Sequence, residues 1–147
     1  PGWKCNEWEM KGVPLRLELG PKDLQKKQAL LVRRDTGEKK AVPLSTLKQE
    51  VPKLLETIQQ NLYQKAEKHL RDSTAKVSIR KEAENALEQK KLLYGPWCGM
   101  TECEEEFKAK TGAKSLNSPL QQPKLKDEKC FICSQKASRW FYFGKSY

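Results

Sequence analysis

The sequence contains one histidine, two methionines and only 8% aromatic residues, and its mean hydropathy is −0.84. It nowhere strings together the roughly 18–20 apolar residues that a bilayer-crossing helix requires. Nor does the N-terminus carry an apolar signal core, so a soluble, intracellular protein is expected. The lone histidine, His69 in KAEKHLRD, leaves no HExxH motif and no Ser/His/Asp set, and no glycine loop of the phosphate-cradling type is present. His69 reads as a solvated helix residue. Hydrolytic triads and helix-borne zinc proteases are thereby excluded.

What is abundant is positive charge. Lys and Arg number 29 against 19 Asp and Glu, a net charge of +10 on 147 residues. The excess is spread along the chain: about +4 over 1–50, +3 over 51–97 and +3 over 98–147. A field of this kind speeds encounter with polyanions without choosing among RNA, DNA and anionic membranes.

The N-terminal half reads as helix, strand, strand, strand, long helix. PGWKCNEWEMKG suggests a short helix over 1–12, anchored by Trp3, Trp8 and Met10 and stopped by Gly12. In VPLRLELG, Leu15, Leu17 and Leu19 alternate with Arg16 and Glu18, the period of a half-buried strand whose leucine face belongs to a core. Gly20-Pro21-Lys22-Asp23 is turn chemistry. Ala29–Val32, the turn Asp35-Thr36-Gly37-Glu38 and 39–44 describe a hairpin. A long helix follows, started by Thr46 and Gln49 at capping-box spacing or by Pro52 in the first turn, with Leu54, Leu55, Ile58, Leu62, Ala66 and Leu70 on its packing face. A second helix is expected from about 80 to 91, and a domain boundary near 72–74. After Tyr94, Gly95, Pro96, Gly99, Gly112, Pro119 and Pro123 are expected to break up any long element. SLNSPLQQPKLKDEK is a loop, and SRWFYFGKSY a last, aromatic strand.

Five cysteines is an odd count, which fits poorly with a fully paired disulfide framework. Four of them form two knuckles, Cys98-x4-Cys103 and Cys130-x2-Cys133. Brought together, four thiolates supply the closed tetrahedral set that holds structural zinc and leaves no position for an activated water. The need is physical, because a loop-rich segment of about 50 residues buries too little apolar surface to fold alone. A chance grouping, a redox pair or a catalytic metal are the alternatives. Glu104–Glu106 reads as a solvated face or a helix start beside the site, and Cys5, far from the knuckles, as a half-buried thiol.

PGWKCNEWEMKGVPLRLELGPKDL, followed by VRRDTGEK, a four-cysteine module and a terminal FGKSY, resembles the C-terminal part of the archaeal/eukaryotic-like prolyl-tRNA synthetases. The resemblance is strongest over 1–44 and at the cysteines. It implies a mixed α/β, or α+β, architecture: residues 1–72 as the second half of an anticodon-binding domain with a mixed sheet, and 73–147 as a small zinc-bound α+β domain. It also implies that the catalytic domain, which uses ATP and magnesium, is not in this sequence. Such a chain, a fragment or truncated product, is expected to be inactive alone.

The family's anticodon readers map onto Glu9, Arg16, Lys22 and Asp23. The chemistry agrees, because proline anticodons share two guanines. Arg and Lys suit guanine's O6 and N7 acceptors, and Glu and Asp its N1 and N2 donors. Taken singly, Arg16 and Glu9 equally suit solvated surface positions, Lys22 generic charge and Asp23 a turn cap. The family commonly carries an aromatic, suited to base stacking, at the position of Cys5, and this chain departs from it. The C-terminal carboxylate of Tyr147 is implied to approach the catalytic centre of a complete enzyme. Proline tRNA is the implied partner, with a cytoplasmic homodimer and docking to other synthetases or factors as further expectations. The competing readings are a zinc-ribbon RNA binder without anticodon preference and an interaction module working through its aromatic tail.

Overall fold

A computed structural model describes residues 2–146, so Tyr147 and its expected role lie outside the described residues. The chain divides into two compact units, 1–67 and 68–147. Their division falls inside one long helix.

In the first unit, α1 (Gly2–Met10) leads through a turn at Gly12, whose φ of +91° only glycine adopts readily, into β1 (Leu15–Glu18). A short helix, α2 (Pro21–Gln25), precedes β2 (Gln28–Arg33) and β3 (Lys39–Pro43), and after a single 3-10 turn α3 runs from Leu47 to Asp72. The sheet has the order β1-β2-β3 and is antiparallel throughout, with Leu17 opposite Leu31 and Ala29 opposite Val42. The expected hairpin forms around Gly37, where φ is +72°.

Three expectations are corrected in this unit. The α1 anchors are not buried: Trp3, Trp8 and Met10 are all exposed, and no residue of the helix is inside. The leucine face of β1 is not a core face either, since Leu17 and Leu19 are both about half exposed. The physical reason is that β1 is an edge strand bonded only to β2: the face is closed over Leu31, which is 1% exposed, but at the sheet edge its partner Leu17 is left 48% exposed. Finally, α3 buries only Ile58, and every side chain from Gln59 to Asp72 is exposed. Its start also differs, because the Thr46 hydroxyl donates to the Pro43 carbonyl at 3.1 Å and Pro52 lies five residues into the helix.

The side chains that do lock this unit are polar. Arg33 donates from Nε and Nη2 to the two carboxylate oxygens of Asp35 at 3.0 and 2.7 Å, and Asn61 of α3 donates to Asp35 at 3.1 Å. The Asp35 side chain is only 4% exposed. The Arg33 fork first, helped by Asn61, holds its carboxyl down at about 2.

The second unit adds β4 (Thr74–Lys76), α4 (Arg80–Glu88), β5 (Leu92–Trp97), α5 (Thr101–Thr111), β6 (Lys114–Ser115) and β7 (Arg139–Gly144). Its sheet is mixed, in the order β4-β5-β7-β6, with β4 parallel to β5 and the other pairs antiparallel. β5 overturns the expectation that Gly95 and Pro96 break the chain. Both lie in a central strand, and Gly95 is there because a Cβ would come within 2.8 Å of Phe131 and 2.9 Å of Val77. The core is aromatic: Phe131 meets Phe107 and Phe143 edge-on, with centroids 5.6 and 5.3 Å away, and Trp97 meets Phe143 at 5.5 Å. Val77, Leu87, Leu93, Cys103 and Cys130 complete the same cluster. The loop after β6 is itself tied to β7, since Gln122 both donates to the Trp140 carbonyl and accepts from the Trp140 N–H.

Candidate metal centre and nucleic-acid interface

The cysteines arrive from three local structures. Cys98 follows the last residue of β5, where Gly99 turns the chain with φ +85°. Cys103 lies in the first turn of α5, inside a segment whose glycines and prolines predict no long element. Cys130 and Cys133 flank a tight turn clasped by a β-bridge between Lys129 and Lys136, with the Cys130 N–H on the Gln135 carbonyl at 2.7 Å and the Ser134 N–H on the Cys130 carbonyl at 2.9 Å. The Phe131 N–H bonds the Pro96 carbonyl at 3.0 Å, fastening that turn to β5.

The four sulfurs lie within 4.8 Å of one another. Cys103 and Cys130 are 3.8 Å apart, and Cys98 and Cys133 3.7 Å. A tetrahedron with zinc–sulfur bonds of about 2.3 Å has edges of about 3.8 Å, so the donor set and its spacing fit a tetrahedral soft cation. Burial pushes the Cys103 and Cys98 thiols upward. Cys133 is shifted down in spite of burial, by the Gln135 N–H and the neighbouring thiols. Thiolates held this close repel one another, and a bound divalent cation is what relieves that repulsion. Cys5 is not part of the group.

In the first unit, α1 and β1 bring Glu9 and Arg16 together as an ion pair, and Arg16 Nε donates to Glu18 at 2.9 Å. Its hydrogen bonds to Glu18 and then Glu9, opposed by burial, raise the Arg16 pKa. The pair opens onto a cavity of about 250 Å³ lined also by Cys5, Trp8, Val13 and Leu15. Charged edges and apolar walls together suit a planar base with hydrogen-bonding groups on its rim. Cys5, Trp8 and Glu9 share that wall, which their i, i+3 and i+4 spacing on a helix already signals. Glu18 as the second partner of Arg16 was missed as a site residue, although period two places it on the same strand face.

Lys22 and Asp23 lie in α2 and not in a simple turn. Asp23 accepts from the Gly20 N–H at 3.1 Å and from Gln28 Nε2 at 3.3 Å, so both its oxygens serve the local fold. Neither Lys22 nor Asp23 lines the Glu9–Arg16 cavity.

The fold and sites define a class: a two-unit α+β protein in which a three-stranded sheet with a charged cavity is followed by a small mixed-sheet domain carrying a cluster of four cysteines. Residues 1–54 match the family model described as "Anticodon binding domain", and residues 80–147 match "Prolyl-tRNA synthetase, C-terminal". The chain belongs to the prolyl-tRNA synthetase family, and it corresponds to the family's C-terminal region. It is 44% identical to the cytoplasmic proline–tRNA ligase of Arabidopsis thaliana and 42% identical to the proline–tRNA ligase of Oceanobacillus iheyensis, in each case over 100% of this chain but only 29% and 30% of the relative. The crystal structure of prolyl-tRNA synthetase from Cryptosporidium parvum, complexed with L-proline and AMP, superposes with a TM-score of 0.89 at 42% identity, covering 100% of this chain and 31% of that one. The chain thus spans about three tenths of the length of these relatives. Among the described residues no helix is long and apolar enough to cross a membrane.

Proposed function

We propose that this chain is the tRNA-recognition and metal-stabilised C-terminal region of a proline–tRNA ligase, an enzyme that joins proline to its tRNA at the expense of ATP. Residues 1–72 select the anticodon and 73–147 form the C-terminal domain. ATP, magnesium and the chemical step belong to a catalytic domain of the complete enzyme, a cytoplasmic homodimer, and the Tyr147 carboxylate reaches toward that centre.

The observation that carries this reading is the Glu9–Arg16 pair at the mouth of the base-sized cavity, within the segment that matches the anticodon-binding family. Each charge neutralises the other in the absence of RNA, so neither is left unpaired. A guanine replaces the pair in kind: its O6 and N7 accept from the Arg16 guanidinium, and its N1–H and N2–H donate to Glu9. Glu18 holds the guanidinium plane meanwhile. Lys22 contributes charge to the neighbouring phosphate or base, and Asp23, while accepting from Gly20 and Gln28, offers the remaining lone pairs of its carboxylate to the second guanine. The four cysteines hold zinc in a closed site, where it supplies folding energy and no open coordination position.

The test is the affinity of the full chain for a proline tRNA transcript and for one with both anticodon guanines replaced, at one fixed salt concentration. Wild type is expected to prefer the guanines, and Arg16→Ala to lose about 1–3 kcal/mol for the first RNA only. Equal loss for both RNAs would reduce Arg16 to a phosphate contact and overturn the anticodon reading.

A further inference from the structure

Trp8 is 53% exposed on a helix that buries no residue, so its ring contributes little to the core of the first unit. Trp3, 77% exposed on the same helix, is equally unburied. Of the two, only Trp8 lines the cavity of about 250 Å³ onto which Glu9 and Arg16 open. It is the one aromatic residue in that lining among the described residues; Cys5, Val13 and Leu15 complete the apolar wall.

A plain explanation for an exposed indole exists and can be weighed. Single exposed aromatics are ordinary, and Lys11, three residues on, places its ammonium 4.7 Å from the Trp8 ring centroid. That contact occupies part of the ring. Lys11, however, does not line the cavity, and its ammonium is tethered to Glu7 at 2.7 Å. The ring is thus steadied by a group outside the cavity while its cavity-facing surface stays open.

The charged pair leaves a task that such a surface fills. Glu9 and Arg16 offer hydrogen bonds to the rim of a base, and a planar base gripped by its rim alone is free to tilt. An aromatic face beside those bonds fixes the plane and covers the apolar face of the base.

We propose that Trp8 is the base-stacking wall of the Glu9–Arg16 cavity, with Lys11 as the positioning residue that holds its ring. The inference rests on the reading of 1–72 as an anticodon-binding surface and divides the labour within it. Glu9 and Arg16 discriminate guanine, whereas Trp8 supplies affinity that any purine shares, because every base has a π face.

The experiment uses the full, metal-loaded chain and two proline tRNA transcripts, one with both anticodon guanines and one with adenine in their place. Trp8→Leu is expected to weaken both by the same factor, roughly 5- to 150-fold, the range that one lost base stack represents. Its urea midpoint should match wild type, since α1 buries nothing. Arg16→Ala weakens only the guanine transcript. Trp8→Phe recovers most of the loss because it keeps a ring, and Trp3→Leu leaves both affinities unchanged. Lys11→Met costs about 2- to 5-fold, a cost that disappears in the Trp8→Leu background. In a Trp3→Phe background, saturation with RNA should quench the indole emission of Trp8, with Trp97 and Trp140 only 8% and 5% exposed.

A loss as large with Trp8→Phe as with Trp8→Leu, or as large with Trp3→Leu, would overturn the stacking wall. So would unquenched emission at saturation. A loss confined to the guanine transcript would reduce Trp8 to a support for Glu9 and overturn it as well. A Lys11→Met cost that persists without the ring would make Lys11 a phosphate contact and overturn its positioning role. Should wild type prefer neither transcript, the anticodon reading fails, while equal weakening of both by Trp8→Leu still upholds the stack.

Discussion

The two units solve the same problem by different means. The second gathers Val77, Leu87, Leu93, Trp97, Phe107, Phe131 and Phe143 into one cluster that includes Cys103 and Cys130, with Cys98 and Cys133 packed against it. The first buries Ala29, Leu31, Val32, Val42 and Ile58 while leaving Trp3, Trp8, Met10, Leu17, Leu19 and Leu24 exposed, and it closes its hairpin onto α3 with a charged lock at Asp35. The unit proposed to read RNA keeps its charged and apolar groups at the surface. The unit proposed to hold metal keeps its aromatic groups inside. A scaffold and a reading surface thus make opposite demands on burial.

The sharpest way to break this comparison is to remove the metal. Chelation, or Cys103→Ser, is expected to unfold the second unit, since structural zinc in small domains supplies on the order of 10–16 kcal/mol of apparent binding energy. The near-ultraviolet signal of Trp97 and Trp140 should collapse together with bound metal, while Cys5→Ser leaves both intact. Retention of the Trp97 and Trp140 signal in metal-free protein would show that the aromatic cluster is sufficient.

Phe107→Ala comes next. It empties a fully buried ring from the centre of the cluster and is expected to cost about 3–5 kcal/mol, read as a lower urea midpoint of the second unit. A cost under about 1 kcal/mol would mean that the cysteines alone carry that unit.

The smallest effect belongs to the lock of the first unit. Asp35 titrates at about 2 when folded, below its ordinary value of 3.8. A depressed carboxyl stabilises the fold above its unfolded value and loses that stabilisation as pH falls through the folded one. The first unit should therefore lose about 2 kcal/mol between roughly pH 4 and pH 2. Asp35→Asn should be less stable at neutral pH and flatter across that window, as followed by urea midpoints. An identical pH profile in the variant would remove the charged lock from the account.

Much of this was legible from residue types. The Asp35-Thr36-Gly37-Glu38 turn between two apolar runs marks its hairpin, and the 80–91 helix appears as α4 over Arg80–Glu88 because its residues favour helix strongly. The cysteine knuckles announce their chemistry by spacing. Illegible were β5, where Gly95 and Pro96 look like breakers but lie inside the strand, Gly95 because Phe131 and Val77 leave no room for a Cβ, and the parallel pairing of β4, which has only three residues. The α1 and β1 apolar residues were misjudged because period shows which residues share a face and not whether anything covers it.

The sequence by itself determined the two cysteine knuckles, the hairpin, the long helix and the excess positive charge, because each depends on local spacing or on composition. Only the tertiary structure decided that Cys5, Trp8, Glu9 and Arg16 share one cavity, that Asp23 serves its own helix, and that Gly95 and Pro96 lie in a central strand. Those outcomes depend on which surfaces meet after the chain closes on itself, and closure is set by burial and shape across residues that no short window contains.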